Sequence, residues 1–357
     1  MCGTVGMFVG CSALSYCPRS LLAAHAARPT GDGSRIPAVE EDAGGEDAGG
    51  EEYRSAFQTW YERASVRQAP RRTVAEGDTA LRFFSPDLVP VAHHPLVKAL
   101  PEPVFDQILV QHLYRYLDFT AKLEYLVVNR TLVGIAHGST GVRLPQEMRF
   151  DALKMYCDEA YHALSAVDLM RQVEQHTGIR PRLPDEPFFL RRLQQILAEL
   201  PAEERGLAEL LFVIVSETLI SASLAEIPDS DGLVPAVRES IRDHAVDEGR
   251  HHAYFAVFLR HLWAQLSTAE RQFAGRLVPR LMDAFLLPDL DSLRAELAGY
   301  GLSKEQVEQV VGEVYTPEVL SRHSRATSRM TRRYLDRLGA FDDPRAQAEL
   351  HAHGYAS

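Results

Sequence analysis

Two copies of one five-residue pattern constrain the fold of this chain more than any other sequence feature. The pattern Asp-Glu-x-x-His begins at Asp158 and again at Asp247, each time within a long segment of helical periodicity. A glutamate and a histidine three positions apart lie on one face of an α-helix, one turn from each other, and can bind one metal ion. A single copy is a weak signal, but each copy here belongs to a larger pattern.

A further glutamate precedes each copy. Glu124 lies 35 residues before Glu159, and Glu217 lies 31 residues before Glu248. Each half of the pattern is therefore a glutamate, a return from one helix to the next, and then Glu-x-x-His. Two helices would each supply a glutamate, and two others would each supply the glutamate and histidine pair.

Glu217 is the more informative of the two upstream glutamates. It is the only charged residue between Glu209 and Glu226, in a helical segment that is apolar on all sides and should therefore be buried. Burying a lone carboxylate costs several kcal/mol unless the charge is neutralised. A bound metal is the simplest neutralising partner, and the alternatives are a protonated side chain or an arginine from another helix.

This ligand plan is the one found in ferritin-like di-iron carboxylate bundles. We therefore expect an all-α fold, a ferritin-like helical bundle with additional helices. Carboxylate oxygens and imidazoles suit iron or manganese better than the softer metals that prefer thiolates. Two iron ions are the expected cofactor, and manganese or a mixed iron and manganese site is left open.

One further histidine makes the pattern asymmetric. His244 lies four residues before Glu248 on the same helix face, whereas Met155 occupies the corresponding position of the first copy. One metal would then carry two histidines; the alternative is that His244 supports a ligand or packs in the core. The predicted metal ligands are Glu124, Glu159, His162, Glu217, His244, Glu248 and His251.

Neighbouring polar residues are expected to support this site. Asp158 and Asp247 directly precede ligand glutamates, which suits carboxylates that hold a ligand imidazole by its second nitrogen. Arg250 is expected to pair with one of these aspartates, and an ordinary interhelical ion pair is the alternative for all three. Tyr116, two turns before Glu124, is the expected substrate-pocket residue, with a core tyrosine as the alternative. No catalytic residue beyond the metal ligands is predicted.

Helical periodicity extends over most of the chain from residue 53, while strand signals are almost absent. A proline-rich segment over residues 68–101 is expected to drape over the bundle. The predicted helices cover roughly 53–67, 103–135, 147–177, 187–200, 205–227, 233–265, 268–287, 303–313 and 317–338.

Composition sets the remaining expectations. Residues 1–52 contain the near-repeat EDAGGEDAGGEE and are predicted to be a disordered leader, followed by a single helical domain over 53–357 with its metal-site core at about 103–265. The net charge of −11 disfavours a nucleic-acid partner. Three of the four cysteines fall within the first 17 residues, which fits a reducing cytoplasm better than a disulfide scaffold. No apolar stretch reaches the length of about 18 residues needed to span a membrane.

The seven predicted ligands, together with the run DHAVDEGRHH at 243–252, resemble the arylamine N-oxygenases of the p-aminobenzoate N-oxygenase family. Members of this family occur in the aureothin and chloramphenicol pathways, and the resemblance covers roughly residues 90–265. It implies a homodimeric helical bundle whose di-iron centre uses O2 and an external electron donor to oxidise an aromatic amine. The oxidation would proceed through hydroxylamine and nitroso stages to a nitro compound, in natural-product (antibiotic) biosynthesis.

Two other functions fit the same pattern. A different ferritin-like di-iron oxidase, such as a C–H hydroxylase or a desaturase, would not need His244 as a ligand. A non-enzymatic iron-binding bundle would be expected to assemble as a cage. On the helix that carries Glu124 there is no evident basic residue for a substrate carboxylate, which favours a larger or uncharged arylamine over p-aminobenzoate.

Overall fold

The computed structural model of the protein describes residues 53–224 and 232–356. This part of the chain is helical, and apart from a single parallel bridge between Arg82 and Leu233 it contains no β-structure. The predicted all-α fold is therefore confirmed. The predicted leader, residues 1–52, lies outside the described residues, and the assignment of one domain from residue 53 stays a prediction.

Most of the helices follow one another with short connections, and the long exception is residues 69–94 between α2 and α3, which contain three 3-10 turns. The first three are short: α1 (Trp60–Arg63), α2 (Ser65–Gln68) and α3 (Pro95–Lys98). The longer ones are α4 (Glu102–Leu123), α5 (Asn129–His137), α6 (Gln146–Thr177), α7 (Phe188–Glu199), α8 (Ala202–Leu224), α9 (Pro235–Gln265), α10 (Thr268–Leu286), α11 (Leu290–Gly299), α12 (Lys304–Val314), α13 (Pro317–Thr327), α14 (Arg329–Arg337) and α15 (Pro344–Ala352).

Four helical units form the centre of the bundle. Helix α6 packs against both α4 and α5, α8 packs along α9, and α6 meets α9 in the middle. Residues 211–220 of helix α8 are buried on all sides, because further helices cover its remaining faces: α7, α10, α13 and α14. The ferritin-like arrangement predicted from the ligand plan is thus the one observed.

A single π-helical turn, Glu124–Val128, joins α4 to α5. The chain from Glu102 to His137 is therefore one helical rod, close to the predicted helix over 103–135. The rod ends at Gly138, whose φ of 81° places it in the left-handed region that glycine adopts without a steric penalty. Single π turns inside α-helices are frequent at functional sites, and this one begins at a predicted metal ligand.

The peripheral helices differ most from the sequence-based expectation. The predicted helix over 53–67 is broken at Ala64, where the backbone is extended, and the predicted helix over 317–338 is interrupted at Ser328. Helices α11 and α15 were not predicted. Both are only nine or ten residues long, too short for periodicity to distinguish them from loops.

Helix α15 packs against α10 at a close approach that requires a glycine. A Cβ on Gly275 would lie 2.0 Å from the backbone oxygen of Ala340 and 3.2 Å from the side chain of Ala346. Within the described residues, no helix combines the length and apolar character needed to cross a membrane.

Candidate metal centre

The four predicted glutamate ligands converge in the centre of the bundle. Glu124 begins the π turn after α4, Glu159 lies in the middle of α6, Glu217 in α8 and Glu248 in α9. None of these side chains has more than 1% of its surface exposed. Four carboxylates from four helices thus share one water-excluded space, and their mutual repulsion must be balanced by positive charge.

Two histidines face this carboxylate cluster through the same ring nitrogen. Nδ1 of His162 lies 2.8 Å from a carboxylate oxygen of Glu159, and Nδ1 of His251 lies 2.6 Å from the other oxygen of that residue. Nδ1 of His251 is also 3.2 Å from Glu248. Both rings are fully enclosed, so each Nδ1 is available to the cluster alone.

The third histidine, His244, lies one turn before Glu248 on α9 and faces the same carboxylate cluster. Nε2 of His244 lies 3.0 Å from Glu248, and its ring centroid is 4.2 Å from that of His162. His244 therefore faces the cluster with the opposite ring nitrogen from the other two histidines. Its pKa is lowered by burial and by the neighbouring His162 ring, which keeps the imidazole neutral and able to bind a metal.

Each histidine of a Glu-x-x-His pattern is held by the aspartate of the other copy. Nε2 of His162 on α6 lies 3.0 Å from Asp247 on α9, and Nε2 of His251 on α9 lies 3.3 Å from Asp158 on α6. This reciprocal pairing fixes the orientation of both rings and directs each Nδ1 toward the glutamates. Arg250 completes it by donating a hydrogen bond to Asp247.

The segment before the bundle closes this end of the site. The indole nitrogen of Trp60 donates to both oxygens of Asp158, at 2.8 and 2.9 Å, and the backbone N–H of Ser65 donates to Asp247 at 3.3 Å. The ring of Phe57 stacks on His251 with a centroid separation of 6.0 Å. Sequence reasoning missed these contacts, because nothing in the local sequence of residues 57–65 indicates which helix they cover.

Two of the glutamates have no neutralising partner among the residues that the structure describes. Neither carboxylate oxygen of Glu124 or Glu217 accepts a hydrogen bond from any described residue. Burial raises the pKa of each well above its ordinary value, and the charges of Glu159 and Glu248 raise it further. Buried polar atoms without partners are rare in proteins, and here they point to a cation that binds at this position.

The other two glutamates are balanced by the histidines. Hydrogen bonds with Asp247 and Glu159 outweigh burial and raise the pKa of His162 to about 10, while the pKa of His251 is raised well above its usual range. The pKa values of Glu159 and Glu248 are lowered despite burial, because these histidines lie beside them. Protons on the imidazoles thus occupy the place that metal ions would take, and metal binding would release them.

The residues present fit a pair of divalent metal ions. Subsets of the cluster bring one donor atom per residue within 4.8 Å of one another, and six of the seven predicted ligands belong to these subsets. The subsets are Glu159, His162, Glu248 and His251, and Glu124, Glu159, His244 and Glu248. Glu159 and Glu248 belong to both, so they lie where two metals would share ligands. Glu217 belongs to neither subset, although the charges of Glu159 and Glu248 act on it.

A pocket of about 290 Å³ opens beside the histidines. His162 and His244 form part of its wall, between α4, α6 and α9. The structure places the predicted pocket residue Tyr116 in this wall, 6% exposed, where burial raises the pKa of its hydroxyl. A contact between Tyr116 and a substrate stays a prediction.

The mouth of the pocket carries charged residues that sequence reasoning did not single out. They come from the segment after α2 and from the solvent-facing sides of α6 and α9: Arg71, Arg72, Asp168 and Asp243. A chain segment that is irregular in structure has no periodicity from which its position could be inferred. The adjacent arginines are visible in the sequence, but not their position at a pocket.

Fold and site together define a class of protein. A helical bundle that buries four glutamates and three histidines, supplied by four helices in the Glu and Glu-x-x-His plan, is a ferritin-like carboxylate bundle of the kind that holds a dinuclear metal centre.

Comparison with known proteins identifies the family. The profile described as p-aminobenzoate N-oxygenase AurF matches residues 67–339, and the chain belongs to this family of oxygenases. The match extends beyond the region of 90–265 on which the resemblance was based. A 4-aminobenzoate N-oxygenase of Streptomyces thioluteus is 26% identical over 264 residues, which cover 70% of this chain and 77% of that protein.

Proposed function

We propose that the protein is a di-iron enzyme that uses O2 to oxidise the nitrogen of an aromatic amine. The observation that carries this proposal is the enclosed cluster of four glutamates and three histidines beside a pocket of about 290 Å³. Membership of an N-oxygenase family supplies the reaction class, and the name of the Streptomyces thioluteus relative supplies the substrate class. Oxidation to the nitro stage and a role in antibiotic biosynthesis are parts of the proposal.

The proposed ligands are the seven residues predicted from the sequence: Glu124, Glu159, His162, Glu217, His244, Glu248 and His251. Two bound iron ions would supply the reduction of O2 that amine oxidation requires, with electrons from an external donor. Manganese, alone or with iron, would satisfy the same donor set. We also propose that the protein is cytoplasmic, because its few cysteines are not arranged as a disulfide scaffold.

The protein's own residues prepare the site in three ways. Asp158 and Asp247 hold His251 and His162 so that their second nitrogens face the glutamates. The segment containing Trp60 covers this end of the site and excludes water from the carboxylates. His162 and His244 form the wall of the pocket, so an amine held there lies next to the metal ligands.

Metal content tests the proposal directly. The purified protein, reconstituted anaerobically with Fe²⁺, should hold about two irons per chain, and the Glu217→Ala variant should lose a clear fraction of them. Glu209→Ala is the matched control, because Glu209 lies on the same helix but is exposed. The loaded enzyme should convert an arylamine and O2 to oxidised nitrogen products when given a reductant. No iron after reconstitution, or full iron content in Glu217→Ala, would contradict the proposed site.

The proposed homodimer has a candidate contact surface on α6. Large apolar side chains are exposed there at alternating spacings of three and four residues, the stripe being Phe150, Leu153, Leu164 and Val167, with Cys157 and Ala160 between them. Such a heptad stripe packs against a second helix. In an antiparallel pair of α6 helices, Phe150 meets Val167 of a second copy and Leu153 meets its Leu164.

Charges at the two ends of the stripe support the same arrangement. Glu147 and Arg171 are both exposed and would face one another across a twofold axis near residue 159. Leu153→Glu should therefore shift the protein from dimer to monomer in light scattering at micromolar concentration. Val133→Glu is the control, because Val133 is 51% exposed but lies on α5 and is not part of the stripe. A parent protein that is monomeric under these conditions would contradict the dimer.

A further inference from the structure

The size of the pocket limits its occupant to a small molecule. An engineered cavity of about 150 Å³ accepts one benzene ring, so about 290 Å³ accommodates a single aromatic ring with a substituent. The inner wall is apolar or carries uncharged hydroxyls, and it includes Tyr116, Leu117, Thr120, Ala166, Leu169 and Ile241. If the amine faces the histidines, the substituent at the opposite end of the ring extends toward the mouth.

The cations at the mouth are already paired with carboxylates. Arg72 binds Asp243 through two hydrogen bonds of 2.8 and 3.0 Å and Glu239 through a third of 2.6 Å. Arg71 binds Asp168 through two hydrogen bonds of 2.8 Å. Three carboxylates therefore face two guanidinium groups.

The exposure of the two arginine side chains shows which ion pair would affect the binding of a charged ligand. The side chain of Arg71 is 68% exposed, so water screens its charge. The side chain of Arg72 is only 26% exposed, and three of its five N–H groups donate to two carboxylates, which neutralise its charge. A substrate carboxylate that approached Arg72 would either displace Asp243 or Glu239 or become a third carboxylate beside one guanidinium, where the negative charges repel one another.

The inner end of the pocket gives a carboxylate no compensation either. Behind His162 and His244 lie the four glutamates of the candidate metal centre. Among the described residues that line the pocket, the only lysine or arginine side chains are those of Arg71 and Arg72. A carboxylate that enters loses its hydration without gaining an unpaired cation, which is unfavourable.

We infer that the pocket selects a single-ring arylamine whose remaining substituent is uncharged. Asp243 and Glu239 set this preference because they neutralise the charge of Arg72. This inference rests on the proposed function, and it concerns the substrate class of the same site. Amide or hydroxyl substituents would fit it, because they exchange hydrogen bonds with the ion pairs at the mouth without breaking them.

Two ligands that are nearly identical in shape test the inference. 4-Aminobenzamide and 4-aminobenzoate differ by one charge, and their binding to the iron-loaded, unreduced enzyme can be measured by calorimetry without any turnover. The amide should bind at least about tenfold more tightly, because an unpaired buried charge costs more than a lost neutral hydrogen bond. Values of kcat/KM should follow the same order. Equal or tighter binding of the benzoate would overturn the inference.

A paired substitution tests the assigned residues. Asp243→Asn combined with Glu239→Gln frees Arg72 without changing side-chain size, so the dissociation constant of 4-aminobenzoate should fall about tenfold while that of the amide changes little. Arg294 provides a matched control, since it too is bound by two carboxylates, Asp291 and Glu308, and none of these three residues lines the pocket. Asp291→Asn combined with Glu308→Gln should leave the dissociation constants of both ligands unchanged.

The outcomes separate this inference from the proposed function. Tighter binding of the amide without oxidation of either amine would refute the N-oxygenase activity and leave the charge preference intact. Oxidation with a preference for the benzoate would support the activity and refute the charge preference. If the doubly substituted variant, Asp243→Asn with Glu239→Gln, binds the benzoate no more tightly than the parent protein, these two residues are not the cause of the charge preference.

Discussion

Replacing Glu217 by leucine should stabilise the metal-free protein while weakening its response to metal. The side chain is 1% exposed, and its oxygens accept no hydrogen bond from the described residues. Burial, followed by the charges of Glu248 and Glu159, raises its pKa well above the ordinary value. Without metal, the folded protein must therefore keep a proton on Glu217 that the unfolded chain releases.

The magnitude follows from this proton. Holding a proton at pH 7 on a carboxyl whose ordinary pKa is 4.5 costs about 3 kcal/mol of folding free energy. This cost is absent below pH 4.5 and grows as the pH rises, because the unfolded chain then loses the proton and the folded protein retains it. Leucine removes the cost and packs among apolar neighbours, so the metal-free variant should melt about 6 °C higher at pH 7.

Thermal unfolding of the chelated protein at pH 5 and pH 7 measures the effect. The advantage of Glu217→Leu should be larger at pH 7 than at pH 5. With Fe²⁺ at 100 to 1,000 times its dissociation constant, the parent protein should gain about 3 to 4 kcal/mol, and the variant clearly less. Glu209→Leu makes the same substitution at an exposed position of α8 and should change the melting temperature by no more than about 1 °C.

A lower melting temperature of the metal-free Glu217→Leu protein would contradict this prediction. That result would mean that the carboxyl has a stabilising partner in the folded state. An advantage that does not depend on pH would show that the proton retained on Glu217 in the folded state is not the cause.

Three further variants test the site and the fold. Asp247→Asn removes the anionic partner of His162, a proposed ligand, and should weaken metal binding 10-fold to 100-fold, as measured by competition with a chelator. Unchanged affinity would show that Asp247 does not orient the His162 ring. His244→Ala should change the absorption spectrum of the iron-loaded protein, and an unaltered spectrum would favour the alternative of a C–H hydroxylase or desaturase. Gly275→Ala should lower the free energy of unfolding, measured in urea, by about 2 kcal/mol or more, because the new Cβ would clash with the backbone oxygen of Ala340. Gly312→Ala is the control and should not be destabilising, because a Cβ at Gly312 has no atom within 4 Å.

The long helices could be predicted from the sequence because their periodicity extends over many turns. The helix expected over 147–177 is observed as Gln146–Thr177, and the one expected over 233–265 as Pro235–Gln265. The short helices Leu290–Gly299 and Pro344–Ala352 could not be predicted, because their stability comes from packing rather than from a repeated pattern. The π turn at Glu124 likewise has no signature in the sequence.

The candidate site divides in the same way. The spacing of the Glu-x-x-His patterns and the lone charge of Glu217 were sufficient to select seven residues that all prove to be buried. Asp158 was also selected, but its partner was not. Its carboxylate lies between Trp60, 98 residues away in the chain, and His251, 93 residues away.

The sequence by itself determined which residues lie on one face of one helix, because the α-helical repeat depends only on local backbone geometry. It therefore determined the helical class, and it led to the predicted ligand plan with the asymmetry introduced by His244. Only the tertiary structure decided which helix faces which, since that depends on how side chains far apart in the chain pack together. The exchange of aspartates between α6 and α9, the cover over Asp158, and the pairing of Arg72 at the pocket mouth all depend on such packing.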